Sequence, residues 1–128
     1  MNNESPFVRC KHCGSIAVLL KDSGVPLVCC GEKMSRLQPN TADASHEKHV
    51  PVISVKDRTV TVDIGTAAHP MLTEHYIEWV GLELKRGAYY KPLFPGEAPR
   101  ITFALSADDE VVAAFDYCNL HGLWRKEL

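Results

Sequence analysis

The sequence predicts an all-β protein built as a small metal-stabilised domain followed by a seven-stranded immunoglobulin-like β-sandwich. Three observations carry this expectation. Four of the five cysteines fall within the first 30 of the 128 residues. The stretch Pro39-Asn40-Thr41-Ala42-Asp43-Ala44-Ser45 holds no large apolar side chain and reads as a linker. Behind it come seven short segments rich in β-branched and aromatic residues, spaced by turn chemistry.

The front piece contains Cys10-Lys11-His12-Cys13-Gly14 and then Cys29-Cys30-Gly31. A chain below ~40 residues rarely supports an apolar core and needs metals, disulfides or association. Two thiolates three positions apart converge on one cation when the chain turns tightly between them, and glycine after the second permits a left-handed backbone. The adjacent pair Cys29-Cys30 is unlike the second CxxC of an ordinary zinc ribbon. Neighbouring residues reach one metal only with local distortion, so an irregular site is expected. Spacing leaves iron and zinc both open. His12 lies inside the knuckle and reads as an exposed bystander.

The second piece gives strands over residues 50–55, 59–64, 76–84, 88–94, 100–105, 111–117 and 123–126. Alternation is clearest in Thr59-Val60-Thr61-Val62-Asp63-Ile64, where Val60, Val62 and Ile64 share a face. Lys56-Asp57-Arg58, Lys85-Arg86-Gly87, Pro95-Gly96-Glu97 and Ala107-Asp108-Asp109 supply the turns. Seven strands at this spacing favour a sandwich, and no window shows a helical period. Trp79 and Trp124 read as core aromatics.

The remaining ligand-type residues are dispersed: His46, His49, His69, His75, Cys118 and His121. His49 opens the first strand, His69 and His75 bracket the loop before the third, and Cys118-Asn119-Leu120-His121 joins the last two. Loops at one end of a sandwich assemble a site from distant sequence. Imidazoles with one thiolate suit iron, copper or zinc. Blue copper wants an axial Met soon after the last His, and none follows His121.

Composition excludes other classes. Fourteen basic against sixteen acidic side chains give −2, which argues against nucleic acid as the partner. No apolar run approaches the ~20 residues of a membrane helix. The start, Met1-Asn2-Asn3-Glu4-Ser5-Pro6, lacks the regions of a signal peptide. A cytoplasmic, reducing compartment is therefore expected, where an odd number of clustered thiols points to metal rather than disulfides.

With these residues in view, Cys10-x2-Cys13 with Cys29-Cys30 resembles the desulforedoxin module. Glu47-Lys48-His49-Val50-Pro51-Val52-Ile53, His69-Pro70-Met71, His75-Tyr76-Ile77-Glu78-Trp79 and Cys118-Asn119-Leu120-His121-Gly122-Leu123-Trp124 resemble the superoxide reductase domain. Together they are similar to the two-iron desulfoferrodoxin family over nearly the whole chain. The resemblance implies a desulforedoxin-like domain over 1–38, a linker over 39–45 and a superoxide reductase β-sandwich over 46–128. It implies a tetrathiolate iron on Cys10, Cys13, Cys29 and Cys30. It implies a second, catalytic iron on His49, His69, His75 and His121, with Cys118 as axial thiolate.

The activity so implied is one-electron reduction of superoxide to hydrogen peroxide. Glu47 would supply a carboxylate to the oxidised site, and Lys48 would attract superoxide and support a protonating water. The Asn119 amide is expected to reach the Cys118 sulfur, and His46 to be an exposed linker residue. A rubredoxin-like electron donor and a homodimer are the expected partners. The competing reading is a non-catalytic iron electron-transfer protein.

Overall fold

The computed structural model describes residues 5–128; the first four residues of the polar start, Met1-Asn2-Asn3-Glu4, lie outside the described residues. Two compact units follow one another along the chain, Met1–Pro39 and Asn40–Leu128.

The first unit is made of very short strands: β1 (Phe7–Arg9), β2 (Ile16–Val18), β3 (Val28–Cys29), β4 (Glu32–Lys33) and β5 (Ser35–Arg36). β1 lies between β2 and β5 in one antiparallel sheet, and β3 and β4 form a separate hairpin. Its buried apolar side chains among the described residues are Phe7, Val8 and Cys10. Three side chains are no core, so folding must draw on something else.

The second unit opens with a one-turn helix, α1 (His46–His49), followed by β6 (Pro51–Lys56), β7 (Thr59–Ile64), β8 (Ile77–Leu84), β9 (Ala88–Pro92), β10 (Arg100–Ala104), β11 (Val111–Cys118) and β12 (Gly122–Glu127). The seven strands agree with those read from the sequence to within a few residues at each end. They form two antiparallel sheets, β10-β7-β6 and β12-β11-β8-β9. Val60, Val62 and Ile64 of β7 face Val80, Leu82 and Leu84 of β8 with Phe103 and Ala114, the two inner faces of a sandwich. Asn40 belongs with this unit: its side chain bonds the backbone of Arg125 on both sides, at 2.9 and 3.1 Å. No helix among the described residues is long and apolar enough to cross a membrane.

Two expectations are corrected. The helix α1 was not foreseen, because four residues are too few to show a 3.6-residue period. Trp79 is not core: it is half-buried on the outer face of its sheet, stacked on Tyr117 with ring centroids 5.9 Å apart and edge-on to Tyr90. Trp124 is fully buried, as expected.

Asp116 is a cost built into the core. It sits on β11 between Val80 and Trp124 of the flanking strands, and neither carboxylate oxygen finds a hydrogen-bond partner among the described residues. Burial pushes its carboxyl well above the usual range. An acid whose folded pKa exceeds its unfolded value of ~3.9 loses stability as pH rises from there. Asp116→Leu is therefore expected to raise stability by about 1–3 kcal/mol, the cost of an unpaired buried polar group. The gain should be larger at pH 8 than at pH 5. Thermal or denaturant unfolding of the two proteins at both pH values checks this.

Candidate metal centres

The first cluster is built by two tight turns. Cys10 accepts from the Gly14 amide and donates its own amide to Ser15, at 3.0 and 2.9 Å, closing the knuckle that brings Cys13 beside it. On the other side Cys30 (φ 52°) and Gly31 (φ 75°) both take the left-handed conformation. That is the local distortion expected of adjacent ligands: a non-glycine residue is placed there so that both neighbouring sulfurs reach one point. The four donor atoms lie within 4.8 Å of one another. Sγ separations are 3.7 Å for Cys13–Cys29 and 4.0 Å for Cys29–Cys30. A tetrahedron of sulfurs ~2.3 Å from a metal has edges of ~3.8 Å, whereas a disulfide would need ~2.0 Å. All five cysteines are free.

Electrostatics agree. The Cys13 thiol is pulled down to about 6 by the Ser15 hydroxyl and amide, and the Cys13 amide lowers Cys10. Cys29 is pushed up to about 12, because its thiol proton is held by the Cys13 and Cys10 sulfurs. Four thiolates in one place need a cation, and the group fits a tetrathiolate metal. His12 stands outside it, exposed and paired with Glu32 at 2.7 Å.

The second cluster draws each ligand from a different turn. Ser45 precedes α1 with extended backbone, the Val50 amide closes the turn on the His46 carbonyl at 2.9 Å, and Pro51 disfavours its continuation. His49, at the end of that turn, donates Nδ1–H to the Ser45 carbonyl at 2.6 Å. His69 does the same to the Pro70 carbonyl at 2.7 Å. Each bond fixes the tautomer and leaves Nε2 with a free lone pair. Reciprocal backbone bonds between Leu72 and His75, at 2.9 and 3.1 Å, fold the loop that delivers His75. Cys118 and His121 flank the β11–β12 turn, closed by Gly122 at φ 76°. A register shift between Tyr117 and Cys118 accompanies the thiol's placement in the interior, where it is fully buried.

The four imidazoles form a quadrilateral. Ring centroids are 4.6 Å apart for His49–His69, 4.7 Å for His69–His75, 5.2 Å for His75–His121 and 4.9 Å for His121–His49, with neighbouring rings near perpendicular. His49 and His75 are 6.4 Å apart, the diagonal. The Nε2 of His49 is 3.1 Å from both His69 Nε2 and His121 Nδ1. Nitrogens ~2.1 Å from one metal and at right angles would be ~3.0 Å apart. Cys118 Sγ is 3.8 Å from His121 Nδ1. Buried Nε2 of His75 finds no protein partner among the described residues.

Burial lowers the pKa of His49 and His75, and holds His69 at about 4, so these three rings stay neutral near pH 7, the form that ligates. Burial raises the Cys118 thiol, while the amides of Leu120 and His121 act the other way. Four nitrogens and one sulfur exceed the tetrahedral shell usual for zinc and fit iron. The tightest group is His49, His75, Cys118 and His121, and His69 joins it through His49.

The sequence expectation for Asn119 is corrected. Its amide donates to the Tyr76 carbonyl at 3.2 Å, not to Cys118. Its side chain accepts from the Tyr76 amide and donates to the Glu74 carbonyl, both at 3.0 Å. Asn119 thus ties the Cys118–His121 turn to the segment carrying His75. Glu47 and Lys48 are exposed on α1, and the Lys48 charge contributes to lowering His75. His46 is exposed, as expected, but it is the first residue of α1 and lies edge-on to Trp124 at 5.2 Å. Trp124 stacks on His49 at 4.9 Å, a contact that spacing could not reveal.

These features define a two-centre metalloprotein with a four-cysteine site and a four-histidine, one-cysteine site. The desulfoferrodoxin family model matches residues 41–127, and the model of the desulfoferrodoxin N-terminal domain matches residues 3–37. Desulfoferrodoxin of Nitratidesulfovibrio vulgaris is 44% identical over 127 residues, covering 99% of each chain. The crystal structure of the superoxide reductase from Treponema pallidum superposes with a TM-score of 0.82 at 38% identity, covering 98% of this chain and all of that one. The one-iron superoxide reductase of Giardia intestinalis covers 64% of this chain and 99% of its own, at 30% identity and a TM-score of 0.54. The chain belongs to the desulfoferrodoxin family.

Proposed function

We propose that the protein is a superoxide reductase that carries two irons, with the reaction at the His49, His69, His75, His121 and Cys118 site. The observation that carries this reading is the imidazole quadrilateral with a buried thiol beside it. Iron held by His49, His69, His75, His121 and Cys118 would supply one-electron redox chemistry, the electron coming from a donor protein. Two protons complete hydrogen peroxide, and no dioxygen forms.

The chain's residues do the rest. Carbonyls of Ser45 and Pro70 fix the tautomers of His49 and His69, so donor nitrogens need not reorganise. The Leu120 and His121 amides favour the charged form of Cys118 against its burial. Lys48 draws the anion toward the rim and holds a water that delivers a proton. Glu47, its exposed neighbour, offers a carboxylate to the oxidised site.

The four-cysteine iron would organise the domain placed at 1–38, and residues 39–45 lead to the catalytic domain at 46–128, with Asn40 already bonded to Arg125 of β12. A homodimer is supported by Leu20, Val25 and Val28, which leave 96, 74 and 65% of their surface exposed in the first unit. A rubredoxin-like protein in the same cytoplasmic compartment is the donor. Rapid mixing of reduced protein with superoxide tests the mechanism. Lys48→Ala should react about tenfold more slowly at low salt, with a flatter ionic-strength dependence. An unchanged low-salt rate would reject steering by Lys48.

A further inference from the structure

We propose that Gly65 and Thr66 are positioning residues that clamp the backbone from which Lys48 acts. The inference rests on the role given to Lys48 above. β7 ends at Ile64, and Gly65 turns the chain at φ 84°. A Cβ on Gly65 would stand 2.5 Å from the Glu47 carbonyl oxygen and 2.7 Å from the Lys48 Cα. Real Cβ atoms do not approach so closely, so two backbone segments touch here only because residue 65 has no side chain. The following residues then bond the same carbonyl. The Ala67 amide donates to Glu47 O at 2.9 Å and the Thr66 hydroxyl at 3.3 Å.

That carbonyl belongs to the peptide joining Glu47 to Lys48, so pinning it fixes the plane from which the Lys48 side chain departs. The two preceding carbonyls are held too, Ser45 by His49 Nδ1 and His46 by the Val50 amide. Three successive anchors make α1 a rigid platform, although four residues have little helical stability of their own. The clamp also joins two ligands: the turn that begins at Gly65 closes through the His69 amide on Ile64 O at 3.3 Å, and His69 meets His49 nitrogen to nitrogen at 3.1 Å. A lysine steers well only if its charge stays beside the rim, so loosening the clamp should cost what removing the lysine costs.

The test uses iron-loaded wild type, Gly65→Ala, Thr66→Val and Lys48→Ala, with Lys48→Ala added to each clamp variant. Superoxide rates at low and high salt are read together with hydrogen exchange at the Ala67 amide. Gly65→Ala should exchange Ala67 at least about tenfold faster, and react with superoxide about as slowly as Lys48→Ala, roughly tenfold below wild type at low salt. Thr66→Val should move both readouts in the same direction, by about twofold or more. In the double variants the two losses should not multiply, because both act through one side chain. Should Gly65→Ala fail to fold, Thr66→Val completes the same cycle. A slowed Lys48→Ala beside unchanged clamp variants, or losses that multiply, would overturn the clamp. An unchanged Lys48→Ala would instead show that the steering reading beneath it has failed.

Discussion

Cys118→Ser is expected to lose fast superoxide reduction altogether while the absorption of the four-cysteine centre stays as it was. The thiol is fully buried at the end of β11, with its sulfur 3.8 Å from His121 Nδ1. Two amides, from Leu120 and His121, favour its ionised form against the burial that opposes it. A serine hydroxyl in the same place is smaller and stays protonated at neutral pH, so both the bond to the metal and the negative charge disappear. Removing a mere outer partner of a metal ligand typically costs ~10–100-fold, and loss of the ligand itself should exceed that. The two clusters share no residue, which is why the four-cysteine absorption should persist. Pulse generation of superoxide with optical detection reads both signals in one sample. Retained fast reduction in this variant would remove Cys118 from the mechanism.

The second large effect concerns folding. Cys10→Ser, or removal of the metal by a chelator, is expected to unfold the first unit and leave the second intact. Phe7, Val8 and Cys10 are its buried apolar side chains among the described residues, and its longest strands have three residues. Binding of a structural metal by four thiolates contributes ~10–16 kcal/mol where zinc peptides have been measured, far more than three side chains supply. Cys10 is the buried member, holding the Cys13 amide at 3.5 Å. In the second unit Val60, Val62, Ile64, Val80 and Leu82 make a core that owes nothing to that metal. Amide spectra should lose dispersion for residues 5–39 and keep it for 40–128. A first unit that remains folded without metal would contradict the claim.

What the sequence made legible follows physical lines. Strands announce themselves through alternation, and Val60, Val62 and Ile64 are buried on one face as read. The cysteine spacing announced the first cluster, and the irregularity expected from Cys29-Cys30 is present as positive φ at Cys30. The histidines were harder: their loops could be placed at one end of the sandwich, but their roles as a single ligand set came from resemblance, since convergence depends on turns that no period encodes. Asn119 was misassigned because an amide's direction is set by the turn it sits in, and that turn points it at Tyr76. The contact of Gly65 with Glu47 and Lys48 was invisible, for nothing in the sequence brings residue 65 against residue 47. Trp124 reads as core from its neighbours, yet its stacking on His49 depends on α1, which is too short to leave a pattern.

The central claim is that the histidine–cysteine site reduces superoxide rather than only storing an electron. Anaerobic mixing of the fully reduced, iron-loaded protein with superoxide, followed by measurement of peroxide and dioxygen, tests it most directly. The account predicts one hydrogen peroxide for each superoxide consumed, oxidation of the histidine–cysteine iron by one electron, and no dioxygen. Release of dioxygen, or a reduced site that persists in excess superoxide, would contradict it.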